Sequence, residues 1–540
     1  MVTEIELKYS LLECRDMATV QQVKAQICQL LTEQELAFVH QVKQLSNHYF
    51  DTESLSLRQQ RIALRTRGTQ ALHQDVRFEQ TIKTSGTVIA GLHQRPEYNV
   101  DIDDAKPILA LFPEAIWRPA TDIKQLQQEI VELFSTNFTR HTWLVTLSNA
   151  QVEIAFDSGE VVCQGHSNKP RIYEIELELV SGDTQALFVL TKLLFSQLAL
   201  RPGQLTKAAR GYALYHESIA VSGNLENIAI DDDELVEPIA LTMIDLSKNS
   251  SIDSAFNKGI EYSITQLQLS VDSYVDAPSL SKLAKISELL ALLRQGFWLF
   301  NELFPANKSP SEQQELRSEL SYFIRTIHWV NNAHYIQALT SKRSSNQKAA
   351  SVNQELITKL QLAQQRYPNE SQVLAILHSE RFNNLQLNLL SLLLKRNSTD
   401  TNKTENTSSL IEFAAKHLTH SSKAISRELA KLQTPPNASS SELYLTAHSL
   451  LIRALLTTSW FGGLVSGSES DMVSRFSMPW LDIKQGISEL QSLSLLQQQL
   501  VHLPASEPKL AQWLTNKSDN LITALDQSRA KALTMKPYWS

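Results

Sequence analysis

The chain has 540 residues, of which 42% are hydrophobic and 20% are charged, as in ordinary globular proteins large enough for several sizeable cores. Its formal net charge of −7 argues against a general nucleic-acid binder, because such proteins usually carry an excess of basic residues. Three cysteines are too few for a disulfide framework, the N-terminus is acidic where a signal peptide would be basic, and no apolar run reaches the ~20 residues of a membrane helix. We therefore expect a cytoplasmic protein that binds neither nucleic acid nor membranes.

The first predicted strand has two faces of different character. Because side chains alternate along a strand, Glu4, Glu6 and Lys8 lie on one face, and Ile5 and Leu7 lie on the other. Two carboxylates and an ammonium in one row suit a face that holds a divalent cation and a phosphate. An exposed edge strand with charged side chains is the alternative interpretation.

Up to about residue 215, the pattern mixes strands with a few helices. It predicts helices at 15–34, 123–134 and 184–199, and strands at 48–52, 62–67, 76–83, 95–100, 140–147, 151–158, 161–164 and 171–180. Residues 157–160, which read Asp-Ser-Gly-Glu, are predicted to form a hairpin turn between two of these strands.

On these strands, charged residues occupy one parity and apolar residues occupy the other. The acids of the charged face are Glu4, Glu6, Glu153, Asp157, Glu174, Glu176 and Glu178. Its bases are Lys8, Arg65, Arg67, Lys83, Arg95, Arg140, Lys207 and Arg210. Periodicity fits both a flat sheet with this face in water and a closed antiparallel barrel with this face inside. We prefer the barrel, with a polyphosphate held by the bases and metal ions held by the acids, because each charge then has a partner.

Several of these segments resemble the motifs of one family. Residues 4–8, Glu-Ile-Glu-Leu-Lys, resemble the ExExK signature of the CYTH domain, the triphosphate tunnel metalloenzyme superfamily. Segments 49–52, 63–67, 81–83, 95–97, 157–159 and 174–178 resemble its later motifs in the same order. The resemblance implies an antiparallel eight-stranded tunnel that binds triphosphate inside and requires Mg²⁺ or Mn²⁺.

For such a tunnel, we expect the acids to hold the metal and the bases to hold the phosphates. The expected metal ligands are Glu4, Glu6, Asp157, Glu174, Glu176 and Glu178, with Glu153 positioning the metal from outside. The expected phosphate-binding residues are Lys8, Arg65, Arg67, Lys83, Arg95, Arg140, Lys207 and Arg210. Lys8, Glu6 and Glu176 are expected to take part in catalysis, with Lys8 stabilising or protonating the leaving phosphate.

After about residue 221 the chain changes from mixed to helical. We predict a tunnel domain at 1–218, an acidic linker at 219–236 and a helical domain at 237–540. The predicted helices are at 253–274, 280–303, 311–332, 351–365, 370–395, 410–432, 441–458, 478–500 and 509–533. The fold class is therefore α+β, a β-tunnel followed by an all-α bundle.

The helical half resembles the CHAD domain, a helical bundle that often carries histidines and basic residues for polyphosphate. This copy departs from that pattern, because residues 287–294 stand where a helix rich in histidine and arginine is usual. Residues 447–453 retain only part of a second basic helix. These departures argue against polyphosphate as a partner of this domain. Residues 453–464 and 480–490 resemble the C-terminal part of bacterial inorganic triphosphatases that combine the two domains.

The sequence predicts a metal-dependent enzyme that hydrolyses inorganic tripolyphosphate to pyrophosphate and phosphate. The phosphate-binding loops GxGxxG and GxxxxGK[ST] are absent, which argues against a P-loop enzyme. Thiamine triphosphatase and class IV adenylyl cyclase are alternatives within the same fold. A polyphosphate-binding or scaffolding protein is the alternative outside enzymes.

Overall fold

The computed structural model describes residues 2–12, 16–71, 74–89, 92–119, 121–203, 206–222, 241–304, 312–340, 354–399, 409–432, 440–466, 470–500 and 508–539. The chain divides into two units, one of Met1–Asp231 with His378–Leu387 and one of Asp232–Leu377 with Asn388–Ser540. Of the predicted linker at 219–236, residues 223–236 lie outside the described residues. The predicted domain boundaries stay predictions. Among the described helices, none is both long and apolar enough to cross a membrane.

The N-terminal unit contains ten strands and five α-helices in its described residues before 223. The strands are β1 (Val2–Leu11), β2 (Ala37–Thr52), β3 (Ala63–Ala71), β4 (Arg77–Lys83), β5 (Thr87–Ile89), β6 (Leu92–Ile102), β7 (Ile130–Leu147), β8 (Ala150–Cys163), β9 (Arg171–Ser181) and β10 (Leu200–Pro202). The helices are α1 (Met17–Glu33), α2 (Ser56–Gln59), α3 (Ile123–Glu129), α4 (Gln185–Phe195) and α5 (Lys207–Ser222).

Eight of these strands close into a ring. Its order is β1–β9–β8–β7–β2–β3–β4–β6, and β6 pairs again with β1. Every neighbouring pair in this ring is antiparallel. Closure pairs both edges of the sheet and gives it an inside and an outside. The predicted eight-stranded antiparallel tunnel is confirmed.

Alternation decides which side chains face outward. Leu7, Ile154 and Leu177 lie on the apolar parity of their strands and are at most 1% exposed. Helices α1 and α4 contribute buried side chains, such as Ile27 and Leu187, to the apolar layer outside the ring. Burying each such side chain contributes about 1.5–3 kcal/mol, so the outer layer stabilises a ring whose inside is charged.

Three predictions about the strands were wrong. Strand β7 begins at Ile130 and not at residue 140, so residues 130–134, predicted as the end of a helix, belong to a strand that pairs with β2. The predicted turn at 157–160 lies within the continuous strand β8, which pairs with β7 and β9 across this segment. Asp157 is held there by Arg140 of β7, and a Cβ at position 159 would lie 2.1 Å from the carbonyl oxygen of Asn137, so glycine here allows close strand approach. Strand β2 begins at Ala37 and not at residue 48, because pairing with β7 orders a segment whose own burial is low.

The second unit is helical throughout its described elements. Its α-helices are Ile252–Asp276, Leu280–Leu299, Glu312–Ile327, Val330–Thr340, Gln354–Gln364, Glu370–Leu377, Glu380–Thr399 (whose start belongs to the first unit), Leu410–Leu429, Ser440–Ser466, Ser470–Leu500 and Pro508–Thr534. The predicted all-α domain is thus confirmed. The helix predicted from residue 478 begins earlier, at Ser470, because Pro479 lies inside a longer helix and does not start one.

A buried tryptophan lies between glycines of two helices in this unit. Trp460 is fully buried, and its Nε1 donates to the carbonyl of Leu292 at 3.1 Å. A Cβ on Gly259 would lie 1.9 Å from the Trp460 ring, and one on Gly296 would lie 2.2 Å from it. Glycine at these positions is therefore required by packing.

We expect Gly259→Ala to destabilise the protein by about 1–3 kcal/mol or more, because the methyl group has no space beside Trp460. In an exposed helix the same change would stabilise by roughly 0.5–1 kcal/mol, so the sign itself is diagnostic. Chemical denaturation measures the effect. Gly463→Ala, whose Cβ would have its nearest contact at 3.1 Å, is the control and should cost less. Equal stabilities for Gly259→Ala and the unchanged protein would contradict the packing described.

Candidate functional site

The charged side chains on the inner face of the ring line a cavity of about 380 Å³. Twelve of the predicted site residues line it: Glu4, Glu6, Lys8, Arg65, Arg67, Lys83, Arg95, Arg140, Glu153, Glu176, Glu178 and Lys207. The other three, Asp157, Glu174 and Arg210, are ion-paired with members of this set or with each other. Charged side chains that the sequence places on separate strands thus meet around one cavity. The functional roles of these residues stay predictions.

One group of charges joins the strands β1, β3, β4 and β6. Lys83 Nζ lies 2.5 Å from Glu4 Oε2 and 3.7 Å from Glu97 Oε1. Arg65 donates to the same Glu97 oxygen at 3.2 Å. Burial raises the pKa of Glu4, but the ammonium of Lys83 outweighs burial and leaves that pKa below its usual value. This carboxylate is therefore ionised at neutral pH.

Lys8 lies at the centre of the acids. Its Nζ is 3.0 Å from Glu6 Oε1 and 3.0 Å from Glu176 Oε1. Burial alone would lower the pKa of Lys8, but Glu176 and Glu6 reverse that effect and hold the pKa well above its usual value. Lys8 is therefore a fixed positive charge and a poor proton donor at neutral pH.

A second group joins β7, β8, β9 and the start of α5. Arg140 donates to both oxygens of Asp157 at 2.7 Å each, and to Glu176 at 2.6 Å. Lys207 lies 2.7 Å from Asp157 and 3.1 Å from Glu176, and it also contacts Glu174. Arg210 contacts Glu174 from the next turn of α5. The guanidinium and ammonium groups outweigh burial and hold the pKa of Asp157 below its usual value.

The acids offer a donor set that suits a hard divalent cation. Carboxylate oxygens of Asp157, Glu174 and Glu176 lie within 4.8 Å of one another. Oxygen donors are the ligands that Mg²⁺ and Mn²⁺ prefer, so these residues fit the expected metal. Across the strand pairing, Glu6 lies opposite Glu178, and Glu178 lies opposite Glu153, which extends the acidic surface along the tunnel.

Glu178 differs from the other acids in its surroundings. Burial, together with Glu4, Glu6 and Glu153, raises its pKa from 4.5 to about 7. Within the described residues, no lysine or arginine forms a salt bridge with it. An acid in this environment favours its protonated form until a cation arrives.

We expect Glu178→Gln to change the pH dependence of stability. The folded-state pKa of Glu178 is raised above its unfolded value, so its favourable contribution is complete below pH 4.5 and is lost as the pH rises to about 7. In EDTA, the stability of Glu178→Gln relative to the unchanged protein should therefore increase between pH 4.5 and pH 8. Urea denaturation at both pH values measures this difference. A constant difference across the range would contradict the raised pKa.

The sequence analysis assigned no role to several residues that line the cavity, and it left Tyr49 and Glu97 open between tunnel lining and packing. Lys43 was missed because the first half of β2 was not predicted as a strand, although its parity matches that of Tyr49. Glu79 lines the cavity 3.5 Å from Arg67, which also donates to Asn47 at 2.7 Å. Tyr49 lines the cavity and stacks on Phe134 at 4.7 Å, so it serves both the lining and the core. Glu97 also lines the cavity.

His93 was also missed, because its segment was considered only from residue 95. It is 2% exposed and shares the inward parity of Arg95 and Glu97. Burial, followed by the charges of Lys8 and Arg95, lowers the pKa of His93 to about 3. The imidazole is therefore neutral at physiological pH.

Comparison with known proteins agrees with this geometry. A family model of the CYTH domain matches residues 4–212, and one of the CHAD domain matches residues 281–500. Residues 4–212 are a CYTH domain. Residues 281–500 are a CHAD domain.

A curated relative of this CYTH domain is an inorganic triphosphatase from Haemophilus influenzae. It is 34% identical over 216 residues, which cover 40% of this chain and 55% of the relative. The match thus spans about half the length of that relative. Among solved structures, a Hippeastrum protein described as an adenylyl cyclase with a dominant triphosphatase activity is 18% identical, covers 40% of this chain and 95% of its own, and gives a TM-score of 0.28. The CHAD domain from Ricinus communis is 17% identical, covers 55% of this chain and 98% of its own, and gives a TM-score of 0.39.

Proposed function

We propose that the CYTH domain hydrolyses inorganic tripolyphosphate to pyrophosphate and phosphate and that it requires Mg²⁺ or Mn²⁺. The observation that carries the proposal is a cavity of about 380 Å³ inside the closed ring of strands, whose lining holds both a set of bases and buried acids such as Glu6 and Glu176. The inorganic triphosphatase relative supports the same reaction.

The bases of the tunnel would hold the phosphate oxygens. Arg65 and Arg67 of β3 and Arg95 of β6 line the cavity from two strands, so their charges would meet different parts of an elongated anion. A guanidinium can bind two phosphate oxygens at once. Burial, followed by the charges of Arg65 and Arg140, lowers the pKa of Arg67 to about 10. A bound polyanion would offset the repulsion among these cations.

The acids would hold the metal. The acids lie on both sides of Lys8 along the tunnel. On one side are Glu4, Glu6 and Glu178. Glu176 lies directly opposite Lys8, and on the other side are Asp157 and Glu174. When bound, Mg²⁺ or Mn²⁺ supplies charge neutralisation of the phosphates and lowers the pKa of a bound water. The chain's own contribution is to fix these carboxylates on paired strands, where they need little rearrangement.

Lys8 would stabilise the charge that develops on the leaving phosphate. Its ammonium is held between Glu6 and Glu176 and stays charged, as described above. Phosphoryl transfer leaves little covalent chemistry to the protein, so a fixed cation beside the reacting phosphorus is a large part of what it can supply.

The lining favours an inorganic substrate over an organic one. Among the described residues that line the cavity, Tyr49 is the one aromatic side chain, and its ring stacks on Phe134. Thiamine triphosphatase and a class IV adenylyl cyclase would each need a surface for a heterocycle. The polar lining offers phosphate contacts instead.

The decisive experiment measures phosphate release from tripolyphosphate, ATP, thiamine triphosphate and long-chain polyphosphate, with Mg²⁺ or Mn²⁺, beside Glu6→Gln. We expect a strong preference for tripolyphosphate that is lost in the variant. Preference for thiamine triphosphate or ATP would replace the substrate. Binding of tripolyphosphate without turnover of any compound would instead establish the binding or scaffolding alternative.

A second candidate function concerns the CHAD domain. Burial and the nearby charges of Arg453, Arg325 and Arg317 lower the pKa of Arg294, so arginines from three helices lie close together. Within the described residues, none of these four arginines forms a salt bridge. The cluster favours polyphosphate binding despite the departures in sequence. Fluorescence anisotropy of labelled polyphosphate on Arg294→Ala, compared with Arg427→Ala on another helix, tests it; equal affinities would contradict it.

A further inference from the structure

Lys43 is an unpaired base on the inner face of the tunnel. It is half-buried, and it lines the cavity together with Leu45 and Tyr49 of the same strand. Six of the eight lysines and arginines that line the cavity form salt bridges with carboxylates: Lys8, Arg65, Arg67, Lys83, Arg140 and Lys207. Within the part of the chain that the structure describes, Lys43 and Arg95 form none. These two bases can therefore bind an anion without first releasing a carboxylate.

The strand register distinguishes Lys43 from Arg95. Arg95 of β6 lies directly opposite Glu4 of β1, so an acid stands beside it. Lys43 lies opposite Arg140 of β7 on one side and opposite Ala71 of β3 on the other, so neither cross-strand neighbour offers a negative charge. Like charges directly opposite each other on paired strands are destabilising. An anion bound beside Lys43 would offset this repulsion.

Lys43 also extends the row of bases on β3 towards one end of the cavity. The inner-face pairs of β2 and β3 follow one another in the order Tyr49 with Arg65, Asn47 with Arg67, Leu45 with Thr69 and Lys43 with Ala71. On β3, the cavity lining runs from Ala63 to Thr69. Lys43 therefore stands beyond Arg67, at the end of the lining where β3 itself offers no further base.

We propose that Lys43 is a further substrate-binding residue, whose ammonium holds a terminal phosphate of a linear inorganic polyphosphate. An ammonium is a compact charge with three donors, which suits the oxygens of a phosphate at the end of a chain. Lys8, which would act on the leaving phosphate, lies on β1, four strands away from β2 in the eight-stranded ring. Lys43 would therefore bind the substrate on the opposite side from the reacting phosphorus. The inference rests on the proposed function, because it takes a polyphosphate as the ligand of this tunnel.

This position predicts an effect on binding without an effect on turnover. An interaction that is equally strong in the ground state and the transition state raises KM when it is removed and leaves kcat unchanged. We expect Lys43→Gln to raise KM for tripolyphosphate by about tenfold or more, and to change kcat by less than about twofold. Lys43→Arg keeps the positive charge, so its KM should stay within about threefold of the unchanged protein.

Lys169→Gln is the matched control for Lys43→Gln. The side chain of Lys169 is 52% exposed and pairs with Glu160 at 3.6 Å, at the surface. This variant loses the same charge from the same domain, so a general electrostatic effect on an anionic substrate would appear in both variants. Lys43→Met, which keeps an unbranched side chain, is a second neutral variant and should behave as Lys43→Gln does. Circular dichroism of the full chain verifies that each variant folds.

Titration calorimetry with tripolyphosphate in EDTA measures binding without turnover. We expect Lys43→Gln to weaken the affinity by about tenfold or more and Lys169→Gln to leave it unchanged. Equal affinities of Lys43→Gln and the unchanged protein, or no binding by the unchanged protein, would overturn the proposal, as would a loss confined to kcat. Weaker binding by Lys43→Gln in a protein that turns over no triphosphate would support Lys43 as a phosphate contact and refute the proposed enzyme, so the two failures are distinct.

Discussion

Replacing Glu176 with glutamine is expected to reduce kcat/KM for tripolyphosphate by on the order of 10²–10³-fold or more. Glu176 contacts Lys8 at 3.0 Å, Arg140 at 2.6 Å and Lys207 at 3.1 Å, and it belongs to the acids whose oxygens lie within 4.8 Å of one another. Glutamine keeps the shape of the side chain but removes its charge. The change removes the charge of a proposed metal ligand and of one of the two carboxylates that hold Lys8.

A matched control for this change exists on the neighbouring strand. Glu160 of β8 lies on the outward parity and pairs with Lys169 and Arg171 at 3.6 Å each, at the surface. Glu160→Gln should leave the rate unchanged. Steady-state kinetics of both variants, with circular dichroism to verify folding, makes the comparison. A folded Glu176→Gln variant with the full rate would refute the role of Glu176.

The second large effect concerns stability. Arg140→Ala should lower the free energy of unfolding by about 3–5 kcal/mol, because it removes three hydrogen bonds and one of the two cations, the other being Lys207, that the buried carboxylates of Asp157 and Glu176 share. The side chain of Arg140 is 13% exposed and that of Asp157 is fully buried, so solvent cannot compensate the charge. Urea denaturation in EDTA measures the loss.

Arg171→Ala serves as the control for that change. Arg171 lies on β9, its side chain is 66% exposed, and its salt bridge to Glu160 is at the surface. Such a pair contributes about 0–1 kcal/mol, so its removal should have little effect. Adding Mn²⁺ should restore part of the stability of Arg140→Ala, since the cation can replace the lost positive charge. Equal stabilities of the two variants would mean that Arg140 is not needed to balance the charges of the buried carboxylates.

The predicted strands were correct where side-chain alternation was strong. In β1, Glu4, Glu6 and Lys8 alternate with Ile5 and Leu7. A closed ring needs this alternation, because one face of each strand lines the charged inside and the other packs against the apolar layer outside. The first half of β2 was missed, since its residues are held by pairing with β7 and not by their own burial. The turn predicted at 157–160 was wrong for the same reason, because ladder bonds to two neighbours outweigh a local turn preference.

The sequence by itself determined the two-part organisation, the charged parity of the strands and the residue types that suit phosphate and metal. Each of these depends on local order along the chain, and alternation or helical spacing records it directly. Only the tertiary structure decided which charges meet. Arg140 joins Asp157 to Glu176, and His93 stands beside Glu6, because strand register places residues from distant segments opposite one another. Register depends on pairing between strands, and no single strand encodes it.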